Sequence, residues 1–207
     1  MPKEKQPIST LQQYLPTGSY NLVLYYLNHY KVQLTITKDR KSILGNYKTP
    51  LPNQNHRITI NGGLNKYSFL ITIIHELAHL ITFEQYKHTV EPHGKQWQTC
   101  YATLLQEFVG LQIFPNDLVI AIQKTQQSPA ASTCAEVHLT KALSKYDAHK
   151  EGYLFIDNLP VGTTFTTDDN RIFVKGEKRR TRHLATEVAT KKMYLFSGVY
   201  KVKVIDN

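Results

Sequence analysis

The sequence predicts an α+β protein in two parts: a domain of helices around a small sheet, then a small antiparallel β domain. Three observations carry this. In the first 125 residues, apolar positions recur at helical spacing in several segments, interleaved with short alternating stretches. Next comes "TQQSPAASTC", residues 125–134, which is small, polar and aperiodic, as linkers are. Beyond it the chain alternates apolar and polar residues between closely spaced turn signals. The expected boundaries are 1–125 for the first domain, 126–135 for the linker and 136–207 for the β domain.

Residues 9–30 read as helix broken at Pro16-Thr17-Gly18, with Ser9 or Thr10 as N-cap and Leu22, Tyr25, Tyr26 and His29 at helical spacing. Val32, Leu34 and Ile36 then alternate, Lys38-Asp39-Arg40 reads as a turn, and Ser42 to Tyr47 is expected to return as the second strand of a hairpin. "HRITING" is a short strand ended by Asn61-Gly62-Gly63. Helices follow over about 66–86, about 94–109 and from Pro115 to about Lys124, the second with Trp97, Tyr101, Leu104, Leu105 and Phe108 on its core face. "EVHLTKALSKYDAHK" reads as a short helix. The rest reads as four or five strands with turns at 159–162, 168–170, 175–177 and 190–192.

Composition narrows the function. The chain is 41% hydrophobic and 20% charged with 13 tyrosines, which is too apolar for a disordered segment. No apolar run follows the charged start, and the apolar stretch from Tyr67 to Phe83 is interrupted by three ionisable residues, so neither a signal peptide nor a membrane span is expected. Cys100 and Cys134 are too few for a disulfide scaffold or a four-cysteine zinc site, which makes a reducing cytoplasm the default. The net charge of +9 is concentrated at the end: residues 171–207 carry ten basic against three acidic side chains.

The interruptions are His75, Glu76 and His79, inside "FLITIIHELAHLITFEQY". Burying three ionisable groups costs several kcal/mol unless something satisfies them. Histidines four apart share one helix face and can reach one metal ion. Glu76 lies beside them, where its carboxylate can meet a water at the open coordination position. H-E-x-x-H is the metallopeptidase helix pattern, two zinc ligands and a general base. A catalytic zinc takes three protein ligands. The metzincin extension would need Gly at 82 and His at 85, where the chain has Thr82 and Gln85. His88, Glu91 and His93 are the remaining candidates. His93 is preferred, because Gly94 permits a tight turn and Trp97 can wall the site.

"HELAHL", with "HGKQW" following fourteen residues after His79, resembles the SprT-like (Spartan-type) zinc metalloprotease family over residues of about 10–125. The resemblance implies a zincin-like fold, one Zn2+ per chain on His75, His79 and His93, and Glu76 as catalytic base. It also implies a strand before the active helix that receives substrate in extended form, here Arg57 to Ile60. Many relatives end in a four-cysteine zinc ribbon. With Cys134 alone in this region, the β domain is expected to be a metal-free relic of one, and both cysteines ordinary thiols.

"KGEKRRTRH" places Lys175, Lys178, Arg179, Arg180 and Arg182 together as a candidate nucleic-acid contact, while Phe173, Tyr194, Phe196 and Tyr200 are expected in the core. The leading expectation is therefore a zinc endopeptidase acting on proteins, including proteins bound to DNA. The alternatives are a metal-stabilised nucleic-acid-binding module with little peptidase activity and a zinc hydrolase of small amides. Glu76 favours the enzymes, since a structural metal needs no base.

Overall fold

The structure, a computed structural model, describes residues 8–39, 43–127, 132–148 and 152–205; the side chains of 8, 9, 127 and 132–136 lie outside that description, Cys134 among them. Two compact units emerge, residues 1–129 with 142–147, and residues 130–141 with 148–207. The division begins in the expected linker. Residues 142–147 join the first unit because their polar groups are held there. Asn65 Nδ2 donates to Leu143 O and Asp147 Oδ1, Tyr146 donates to Asp117 Oδ1 at 2.7 Å, and its ring meets Tyr67 edge-on.

In the first unit, α1 (Ile8–Leu11) and α2 (Tyr20–His29) precede a three-stranded sheet of β1 (Gln33–Thr37), β2 (Gly45–Lys48) and β3 (Arg57–Asn61). Val23 and Leu27 form the buried stripe of α2, and Tyr25 is exposed. The expected hairpin does not form. β3 lies between the other two strands, parallel to β1 and antiparallel to β2. With both neighbours in place, Ile58 and Ile60 are fully buried, and β3 has no free edge for a peptide. That corrects the expectation for Arg57 to Ile60: the free edge on this side of the sheet belongs to β2.

Helix α3 (Lys66–Tyr86) packs against this sheet. Asn65 caps it, its side chain accepting from Ser68 N at 2.9 Å, which satisfies one of the amides a helix start leaves bare. Lys87, in the left-handed region at φ 53°, closes the other end with its N–H on Phe83 O. Burial runs all round α3: Phe69, Leu70, Ile73, Ile74, Leu77 and Leu80 are fully buried. Among the described residues no helix is long and apolar enough to cross a membrane. Helices α4 (Lys95–Gly110) and α5 (Asn116–Gln127) follow, α4 burying Trp97, Leu104, Leu105 and Phe108 as its spacing predicts. A further helix, α6, spans Ser132–Ser144.

Among the described residues the second unit has six strands rather than four or five: β4 (Tyr153–Phe155), β5 (Thr164–Thr166), β6 (Ile172–Arg179), β7 (Arg182–Glu187), β8 (Met193–Ser197) and β9 (Lys201–Val204). All pairs are antiparallel, in the order β4-β9-β5-β6-β7-β8. Three residues join β8 to β9, a reach of about 14 Å at full extension. On a flat sheet β8 and β9 would stand four strand spacings apart, about 19 Å, so the sheet must curl. Its concave side holds Ile156, Leu159, Phe165, Phe173, Ala185 and Val202, with Tyr194 and Phe196 packed on them. The turn expected at Lys175-Gly176-Glu177 is instead a bulge inside β6, and the chain reverses at Arg180, φ 52°, and Thr181.

Candidate metal centre

His75 and His79 lie one turn apart on α3, and His93 comes from the loop before α4. Two local features deliver His93. Its own backbone sits in the left-handed region, φ 58°, unusual for a residue with a side chain. Gly94 then approaches so closely that an added Cβ would meet Glu91 O at 2.8 Å. Gln98 secures the turn, donating to His93 O at 3.0 Å. His88 lies instead against Phe83, and Glu91 is exposed; neither joins the other histidines.

The Nε2 atoms of His79 and His93 each stand 3.2 Å from Nε2 of His75, and the three side chains offer ligand atoms within 4.8 Å of one another. One Nε2 carries either a hydrogen or a lone pair, so it serves a single such neighbour well but not two. A shared cation serves all three: nitrogens about 2.0–2.1 Å from a tetrahedral ion stand about 3.3 Å apart. Burial, then His79 and His93, hold His75 down to about 3; burial, then His93, holds His79 down to about 4. Both are therefore neutral at pH 7, the form that binds metal. This triad can hold a divalent ion.

Trp97 walls the site, its ring centroid 4.6–5.1 Å from those of all three histidines. Tyr101 stacks on Trp97 at 4.9 Å and meets His75 edge-on. Its spacing on α4 reads as core, and only the position one turn after Trp97 signals a place beside the metal face.

Glu76 is 6% exposed, and burial pushes its carboxyl up to about 7, offset in part by a hydrogen bond from the Tyr47 backbone N–H. That N–H is available because of register. Asn61 N donates to Leu44 O, so the alternation of an antiparallel ladder turns the backbone groups of Gly45 and Tyr47 away from β3. Gly45 is needed here, since a Cβ would lie 2.7 Å from Glu76 Oε1 and 2.6 Å from Thr72 Cγ2. A glycine inside a strand is the signal that could have revealed this close approach. The carboxyl thus follows His75 in sequence and lies under the outer edge of β2, buried and shifted upward by that burial, as carboxyls at functional sites often are.

The basic cluster of the second unit divides. Arg179, Arg180 and Arg182 are exposed at the β6–β7 tip. Lys178 is exposed and pairs with Asp157 at 3.3 Å. Lys175, expected at the surface, is 5% exposed and donates its ammonium to Leu159 O. It alternates with Phe173 on the inner face of β6, which removes it from any phosphate contact. Phe173 is buried and Tyr194 and Phe196 pack against it, while Tyr200 is exposed.

The model of the SprT-like family matches residues 19–116, a span that begins before α2 and ends at the start of α5, enclosing β1 to β3 and every residue of the triad. Comparison with curated proteins and with solved structures gives no match.

Proposed function

We propose, from the match of residues 19–116 to the SprT-like family, that this chain is a zinc-dependent metallopeptidase of that family, which hydrolyses peptide bonds of protein substrates. The observation that carries the reading is the buried carboxyl of Glu76, next in sequence to one of three converging imidazoles and hydrogen-bonded by the Tyr47 N–H of an edge strand. A metal kept for structure alone would need no such group.

His75, His79 and His93 would hold the ion. Bound there, zinc lowers the pKa of a coordinated water to about 7 and polarises a carbonyl as a Lewis acid. The chain's own residues supply the rest. An extended peptide pairs with the outward backbone groups of β2 other than the Tyr47 N–H, which Glu76 already holds, and this puts its carbonyl over Glu76. Glu76 takes the proton of the attacking water and returns it to the leaving amine, so the bond is cleaved in one displacement without an acyl-enzyme. Trp97 keeps bulk water from one side of the imidazoles.

The substrates include proteins bound to DNA, which the exposed arginines at the β6–β7 tip would hold by their phosphates. The compartment is cytoplasmic and reducing, consistent with Cys100 as a free thiol. Metal analysis and a fluorogenic-peptide assay, each with and without a chelator, test the reading: about one zinc per chain and chelator-sensitive turnover are expected. Turnover indifferent to metal removal would refute it.

A further inference from the structure

A second polar assembly adjoins the site without sharing its ligands. Tyr47 lies on the same face of β2 as Gly45, and its hydroxyl is 2.9 Å from His56 Nδ1. The two rings stack at 5.9 Å, and Phe83, one turn beyond His79 on α3, lies against both. On its other side His56 Nε2 faces Glu84 Oε1 at 3.4 Å, which Lys87 Nζ also holds at 3.0 Å. His56 is buried, and that burial keeps it below its ordinary pKa although Glu84 pulls the other way. A neutral ring facing a carboxylate with Nε2 carries its hydrogen there, which leaves Nδ1 to accept from the Tyr47 hydroxyl.

The strand this assembly grips is short. β2 has four residues and, among the described residues, one sheet neighbour, β3. Yet its height above α3 sets the distance between its free edge and Glu76. Gly45 limits that height by contact, and the Tyr47 N–H fixes it by a hydrogen bond to the carboxyl. Neither prevents the end of the strand from lifting. The Tyr47 side chain does, because it ties β2 through His56 both to the residue preceding β3 and to the last turns of α3.

We propose that His56 is a positioning residue: through Tyr47 it clamps β2 at the height where the strand's free edge and Glu76 act on the same peptide bond. Misplacement by about 1 Å can cost about a hundredfold in rate, so a clamp on a four-residue edge strand has a consequence for turnover. The functional half rests on the peptidase reading, and one arm of the test needs no turnover.

The full chain with zinc bound is compared as wild type, His56→Phe, His56→Asn, Tyr47→Phe and the double variant His56→Phe/Tyr47→Phe. Phe keeps a ring against Phe83 and removes the acceptor; Asn puts an amide oxygen close to where Nδ1 stood. Amide exchange at residue 47 should be about fivefold faster in His56→Phe and near wild type in His56→Asn, since one hydrogen bond contributes about 1 kcal/mol. kcat for an unstructured fluorogenic peptide should fall about tenfold in His56→Phe, with KM within about threefold and zinc content unchanged. Tyr47→Phe should reproduce both effects, and the double variant should be no worse than either. Unchanged exchange in His56→Phe, or equal loss in the Phe and Asn variants, overturns the clamp. Faster exchange in the Phe variant alone, with no peptide cleaved by any form, upholds the clamp and refutes the peptidase reading instead.

Discussion

Both units hold ionisable side chains partly or wholly out of water, and they do so in opposite senses. On α3, His75 and His79 are pushed down and Glu76 up, each toward its neutral form. In the β unit, Asp157 accepts from Lys141, Lys178 and His183, and these hold its carboxyl far below the usual range. Glu187, likewise, is held down to about 2 by Arg171 at 2.7 Å and by Thr190. The β unit thus completes its charges from within, as a stabilising network does. The first unit brings three imidazoles together, two from α3 and one from the loop before α4, with Glu76 next to His75 in sequence, an arrangement that becomes favourable once a cation arrives. Buried charge that is already paired speaks for stability, and buried polarity awaiting a partner speaks for chemistry.

The largest effect that would sharpen this contrast is at the triad. His75→Ala, His79→Ala and His93→Ala should each reduce bound zinc from about one per chain to near none at micromolar metal, read by metal analysis after gel filtration. Trp97, the single tryptophan, touches all three histidines, so its fluorescence should respond to zinc in wild type and not in these variants. Zinc retained by His93→Ala but lost on changing His88 or Glu91 would assign the third ligand elsewhere.

Next in size is the paired network. Asp157→Asn should cost the β unit about 1–2 kcal/mol and leave zinc binding untouched, measured by urea unfolding followed in far-UV circular dichroism. The pH dependence has a definite sign. The folded-state pKa of Asp157 is depressed, so its stabilisation is fully present above the unfolded value of about 3.9 and is lost as pH falls below it. Wild type should therefore lose stability steeply below about pH 4, and Asp157→Asn should lose less. Parallel acid curves would mean that Asp157 does not anchor this unit.

A smaller effect is expected at the tip. Reversing Arg179, Arg180 and Arg182 to Glu should weaken binding to DNA of every sequence alike and flatten the salt slope by about one unit per lost phosphate contact. Cleavage of a free peptide should be nearly unchanged. Titration of labelled DNA at two salt concentrations decides it, and equal affinities would reduce the cluster to a solvated face.

The helix and the convergence of the three histidines were legible in the sequence because spacing alone puts His75 and His79 on one face, and Gly94 marks the turn that delivers His93. Strand partners were not. Alternation identifies β1, β2 and β3 as strands but carries no record of who pairs with whom, and a turn-like Lys38-Asp39-Arg40 suggested a hairpin that the insertion of β3 replaces. Arg40 itself lies outside the described residues. Charge counted along the chain puts Lys175 at the surface, whereas period two, taken from Phe173, places it inside. The role of β2 hung on Gly45, whose missing side chain is the signal and whose neighbour, Glu76, is visible only once helix and strand are packed.

Glu76 is proposed as the base and the three histidines as metal ligands. Glu76→Gln keeps the size and the bond to the Tyr47 N–H but removes the base. Zinc content and peptide turnover of that variant, measured side by side with wild type on one preparation, should show metal unchanged at about one per chain and turnover lower by about a hundredfold or more. Turnover retained at full zinc occupancy would contradict the account.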